Sequence, residues 1–139
     1  MDTNGNTKEL LIKDLSSRLP YGVKVNGVFL TYDKDKDKIL YKECVKELNY
    51  SHLSRYWTLK PYLFPLSSMT DKDLVKFLQI RGLNLNSDEL KTFRRGTTLI
   101  VSTLPSYSRH IDWLNKNHFD YRGLIEKGLA IDATGLNIY

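Results

Sequence analysis

His118, Asp120, Tyr121 and Arg122 place an imidazole, a carboxylate, a phenol and a guanidinium within five residues. Such a group can hold an anion, or pass a proton between His118 and Asp120. Three members also have an ordinary structural use: Asp120 caps a helix, Arg122 pairs with a carboxylate, and His118 closes the helix before it. Those uses account for three of the four side chains, and no catalytic residue is assigned. Lys60, Tyr62, Ser67 and Ser68, from the segment KPYLFPLSSM, join the four as a candidate binding surface.

Other constellations are weaker. Asp33, Asp35 and Asp37 imitate the opening of a calcium loop, which requires glycine at its sixth position and glutamate at its twelfth. Lys38 and Cys44 stand there instead. Cys44 lies in an alternating, strand-like run with no basic cluster beside it to activate the thiol. His52, His110 and His118 include no pair four apart and have no second cysteine, so no metal site is expected. The segment RYWTLKPYLFPLSSM interleaves Arg55 and Lys60 with Tyr56, Trp57, Tyr62 and Phe64. On one sheet face those residues would suit single-stranded nucleic acid, whose bases stack on rings while cations follow the phosphates. Arg94-Arg95-Gly96-Thr97-Thr98 lacks the spacing of a phosphate loop, and Gly96 is better read as a helix stop.

The elements that must position these residues follow from periodicity. Ser106 to Ala133 reads as two short helices meeting at a tight corner. Ser106 caps the first, and Tyr107, Ile111, Leu114 and His118 share its stripe. Asp120 caps the second, Phe119 and Leu124 form a hydrophobic staple, and Gly128 ends it. Leu129 to Ile131 is expected to be extended.

Ahead of the corner, Thr7 caps a helix that carries Leu11, Leu15 and Leu19 and stops at Pro20. From Tyr21 to Val45 apolar residues alternate, and Asn26-Gly27 predicts a tight turn inside a three-stranded meander with a charged tip at 33–38. Tyr56 to Leu63 is a further strand, with Pro61 at an edge or a bulge. Thr70, Asp73, Met69 and Leu74 carry a capping box and staple for a helix that Gly82 stops. Leu83 to Asn86 connects to a short helix capped by Ser87, running from Asp88 to Arg95, and a strand follows at 97–103. The expected architecture is one α+β domain over residues 1–139, with 1–6 frayed. It holds a small antiparallel sheet, curling toward an SH3-like barrel, with an N-terminal helix and a helical C-terminal half.

DWLNKNHFDYRGLIEKGLAIDA resembles the C-terminal motif of a family of uncharacterised proteins encoded by gut Bacteroides species and their phages. LSSRLPYGVKV at 15–25 and LKPYLFPLSSMT at 59–70 match the same pattern. Together the three pieces cover about a third of the chain. Phe64 departs from the pattern, where arginine is expected, and 71–105 matches no fixed wording. The resemblance implies a cytoplasmic protein of a bacterial or phage-infected cell, and carries over no activity.

Composition bounds the rest. With 139 residues, 41% hydrophobic and 27% charged, the chain can bury a core. Its apolar runs are too short to span a bilayer, and MDTNGNTKE has neither the basic start nor the apolar stretch of a signal peptide. A single cysteine suits a reducing compartment. The net charge of +5 comes from residues 51–109, with nine Lys/Arg against four Asp/Glu, so an acidic partner or phosphates are suitable counterparts. The leading expectation is a non-enzymatic accessory or interaction protein of a phage or prophage, one version being a host-takeover or anti-defence factor. Its ligand would be a protein or a nucleotide, with no cofactor and no membrane. The alternatives are a nucleic-acid-binding module and a small enzyme using His118 and Asp120.

Overall fold

A computed structural model describes residues 4–80, 86, 88–89 and 108–139. Helix α1 runs Asn4–Arg18, so it starts three residues ahead of Thr7 and takes in part of the stretch expected to fray. Pro20 stops it, within a single 3-10 turn at Leu19–Tyr21, and Gly22 follows in the left-handed region at φ 70°. Leu11 and Leu15 are buried as the period requires, but the same helix also buries Asp14 and Arg18 completely.

Strands β1 (Lys24–Asp33) and β2 (Lys38–Glu47) form one long antiparallel hairpin, where three strands were expected. Asn26-Gly27 is no turn. Gly27 sits mid-strand opposite Cys44, and a Cβ there would lie 2.5 Å from Cδ2 of Leu59 and 3.2 Å from the Phe29 ring. The glycine therefore marks a close approach of packed side chains to the backbone, the other use of glycine in a strand. The hairpin turns instead at the acidic tip. There Asp33 accepts from the amides of Asp35 and Lys36, Tyr32 hydrogen-bonds Asp37, and Asp37 takes φ 49°. Two of the three carboxylates that imitate a calcium loop, Asp33 and Asp37, are thus used by their own turn.

Tyr50–Thr58 is a 3-10 stretch, which displaces the first half of the strand expected from Tyr56. Asn49 and His52 make a reciprocal cap: Asn49 Oδ1 accepts from the Ser51 amide, and His52 Nδ1 accepts from the Asn49 amide. Strand β3 is only Lys60–Pro65, and it lies inside the sheet, not at its edge. Pro61 is tolerated there because the β1–β3 ladder is two pairs long, Val25 opposite Pro61 and Asn26 opposite Lys60.

Helix α2 (Asp71–Gln79) has the expected capping box: Thr70 accepts from the Asp73 amide, and Asp73 accepts from the Thr70 amide. Met69 and Leu74, its staple pair, are both buried. Further on, Asn86 accepts from the Glu89 amide while Glu89 accepts from the Asn86 amide, a cap that falls on Asn86 where Ser87 was expected. The expected Gly82 stop, the connector at 83–85, the Ser87 cap, the expected helix over 90–95 with its Gly96 stop, the expected strand at 97–103, the Ser106 cap and Tyr107 lie outside the described residues.

Helix α3 (Ser108–Lys116) leads into β4 (Phe119–Asp120), which pairs in parallel with β3, and β5 (Ile131–Asp132) pairs with β3 in parallel as well. The class is α+β. The sheet is mixed and open, with order β2-β1-β3-β4 and β5 on β3, where an antiparallel sheet curling toward a barrel was expected. The second helix of the corner is also absent. Within residues 121–130, turns at 124–128 stand in its place, with Gly123 at φ 72° ahead of them and Gly128 at φ 72° at their end.

Successive β3 side chains face opposite ways and serve two cores. Leu63 joins Leu15, Val25, Phe29, Leu59 and Leu124 on one side. Phe64 packs on the other, with Met69, Leu74, Phe77, Leu114 and Phe119. Trp113 stacks on Phe119 at 5.6 Å and meets Phe77 edge-on at 5.7 Å, so the rings of α2, α3 and β4 form one cluster.

Candidate functional site

Parallel pairing of Phe64 with Phe119 and of Pro65 with Asp120 brings the KPYLFPLSSM segment against the HFDYR corner. A cleft of about 280 Å³ between them is lined by Leu66, Ser67, Asp120, Tyr121 and neighbouring residues. A second, of about 330 Å³, is lined by Ser68, Asp73, Asn117 and Phe119 among others. Lys60, Tyr62, His118 and Arg122 line neither.

Most polar groups of the corner are spent within the chain, while the buried His118 Nδ1 and Arg18 Nη1 have no hydrogen-bond partner among the described residues. Asp120 is buried, and its two oxygens accept from the amides of Leu124 and Ile125 at 2.9 Å each. Arg122 donates at 2.7 Å to Asp14 Oδ1, and Arg18 donates at 2.9 Å to Asp14 Oδ2. One fully buried carboxylate thus serves two guanidiniums. A second nitrogen of Arg18 donates to the Phe119 carbonyl at 2.6 Å, tying α1 to β4. Tyr121 donates to Asn115 at 2.9 Å, and both arginines lie against its ring, with Cζ 4.6 Å (Arg122) and 5.2 Å (Arg18) from the ring centroid. Burial, ahead of all other influences, raises the Tyr121 pKa.

His118 takes φ 63°, ends the turn after α3 and gives its carbonyl to the Phe64 amide at 2.8 Å. Its ring stacks on Tyr139 with centroids 3.7 Å apart and planes 11° from parallel. Burial, with Arg18 and Lys24 adding like charge, lowers its pKa to about 4, so the ring is neutral at pH 7. Tyr139 donates to the Tyr62 carbonyl at 2.7 Å and accepts from the Lys24 amide at 2.9 Å. Tyr62 itself is buried, Lys60 and Ser67 are exposed, and Ser68 donates to the Pro65 carbonyl. Neutral His118 and capped Asp120 are thus held by separate partners, and neither of these two clefts brings them together.

The basic and aromatic strand also resolves differently. Arg55, Tyr56 and Trp57 sit on the 3-10 stretch, off the sheet. Arg55 donates to the Val28 carbonyl and covers the Phe29 ring at 4.7 Å, while Phe64 packs against Phe119 and Tyr139. The rings and cations therefore do not share a sheet face on which bases would stack.

The unused surface lies elsewhere. Cross-strand register sets Asn26 opposite Val45, Leu30 opposite Tyr41, and Tyr32 opposite Ile39, so these residues and Val28 share one hairpin face. Val28, Leu30, Tyr32, Ile39, Tyr41 and Val45 are all exposed, Ile39 at 68% and Tyr41 at 73%. The opposite face carries Lys38, Lys42 and Lys46 together with buried Val25 and Phe29. Strand β2 alternates Ile39, Tyr41 and Val45 with lysines, a signal readable from sequence, but alternation alone points its apolar side inward.

Among the described residues no helix is long and apolar enough to cross a membrane, and no three His, Cys, Asp or Glu side chains group as metal ligands. No family model matches the chain, and no curated protein or solved structure shows significant similarity to it.

Proposed function

We propose that this chain is a non-enzymatic interaction protein whose contact surface is the outer face of the β1–β2 hairpin. The observation that carries the reading is an inverted ribbon: six apolar side chains face solvent while lysines of β2 share the face of the buried core residues. A folded monomer seldom leaves so continuous an apolar surface uncovered unless something binds it. The internal pairing of Asp120, Tyr121 and Arg122 supports a role without catalysis, because those groups already hold α1, α3 and the 124–128 turns together. The phage-associated setting, with host takeover or anti-defence as one version, belongs to the same proposal and rests on the wording of the three motifs.

Site-specific photo-crosslinking in cells tests the reading. A crosslinking side chain at Leu30 is expected to yield discrete adducts, and one at Glu126, beside the corner cleft, none. Adducts from position 126 alone would move the contact surface to the corner and overturn the assignment.

A further inference from the structure

Resting on that interaction reading, we propose that the occupant of the hairpin face is a second copy of this chain. The two ribbons pack face to face about a two-fold axis.

Among the described residues, β1 beyond Asn26 has β2 as its sole strand neighbour, and no strand pairs with the outer edge of β2. An isolated two-stranded ribbon is marginally stable in water and gains most by burying one face. At their fractional exposures the six apolar side chains present roughly 600 Å². A standard interface buries about 800 Å² per partner, so with its rim this face is large enough to sustain a dimer.

Charge selects the occupant. The only ionised group among the paired residues from Asn26 to Val45 on this face is Glu43, and the Asn26 amide donates to it at 2.8 Å. Lys38, Lys42 and Lys46 point the other way. The cations that register puts on this face, Lys24 and Lys60, stand at its β3 end, so a nucleic acid or acidic protein would meet little positive charge over the apolar centre, whereas an identical face is apolar where this one is apolar and brings little like charge. A two-fold contact needs such self-complementarity. Packing two sheets about 10 Å apart would bury Leu30 and Tyr41, cross-strand partners near the middle of the face.

Sedimentation equilibrium of the full chain tests this, with near-UV circular dichroism to establish folding. The wild type is expected to be a dimer. Leu30→Lys/Tyr41→Lys should stay folded and raise the dissociation constant at least ~100-fold, because each substitution would bury a charge at the centre of the contact. Lys42→Glu, on the opposite face, should leave the dimer unchanged. A dimer that survives Leu30→Lys/Tyr41→Lys would overturn the proposal, since its contact would then lie elsewhere. A wild type that remains monomeric would also overturn it. In that case binding of a hydrophobic dye separates the two readings. Dye bound by the wild type and lost in Leu30→Lys/Tyr41→Lys leaves the face open to a different partner, while no dye binding removes the interaction reading as well.

Discussion

The His118 imidazole lies flat on the Tyr139 ring, 3.7 Å between centroids, although 20 residues, among them β4 and β5, separate the two in the chain. This stack, and not a catalytic partner, fixes the state of the histidine. Burial against Tyr139 and the nearby charges of Arg18 and Lys24 favour the neutral ring, whose pKa falls from 6.5 to about 4.

Acid should therefore destabilise the fold through His118. Between pH 6.5 and 4 the unfolded chain binds the proton and the folded chain does not, so stability is complete above about pH 6.5 and is lost as pH falls toward 4. The loss attributable to this group is on the order of 2 kcal/mol once solvent screening is allowed for. His118→Asn keeps a residue tolerant of the left-handed backbone and has nothing to titrate. Urea unfolding at pH 7 and 4.5 should show a smaller acid loss for this variant than for the wild type; equal losses would contradict the assignment.

Tyr139 acts at the other end of the pH scale. Burial pushes its phenol up to about 12, so the folded chain keeps a proton that the unfolded chain releases near 10. Stability due to Tyr139 is present below pH 10 and declines as pH rises toward 12. At neutral pH, Tyr139→Phe removes the bond to the Tyr62 carbonyl and the acceptor of the Lys24 amide, at a cost of about 1–2 kcal/mol. Thermal melts at pH 7 would register it, and an unchanged melting temperature would refute the role.

Asp14 should be the most sensitive polar residue of the corner. Replacing it by Asn keeps the volume and removes the one carboxylate shared by Arg18 and Arg122, leaving the fully buried Arg18 charge uncompensated. The expected cost is about 3–5 kcal/mol, against much less for Arg122→Gln, whose side chain reaches solvent. Chemical denaturation of both variants checks the order; a reversed order would contradict it.

Gly27→Ala separates a packing glycine from a turn glycine. In a tight hairpin turn alanine would be strained by backbone angle. Here it meets Leu59, and the cost of about 1–3 kcal/mol should shrink when Leu59 is shortened to Val in the same chain. Denaturation of the single and double variants measures that coupling, and simple additivity would argue against the contact.

Local signals were legible wherever a few adjacent residues settle the outcome. The Thr70–Asp73 box, the Met69–Leu74 staple, the stop at Pro20 and the stripe of Leu11 and Leu15 all follow from bonds and spacings within one or two turns. The α+β class could be read for the same reason. Tertiary structure decided what depended on distant neighbours. It made Asn26-Gly27 a strand because Leu59 closes on Gly27, it drew β4 and β5 onto β3 in parallel, and it consumed Asp120, Tyr121 and Arg122 in pairing with their surroundings. It also turned the apolar side of β2 outward. Alternation names two faces of a strand but not which one meets the core, because burial belongs to a pair of surfaces and the second surface is supplied from elsewhere in space.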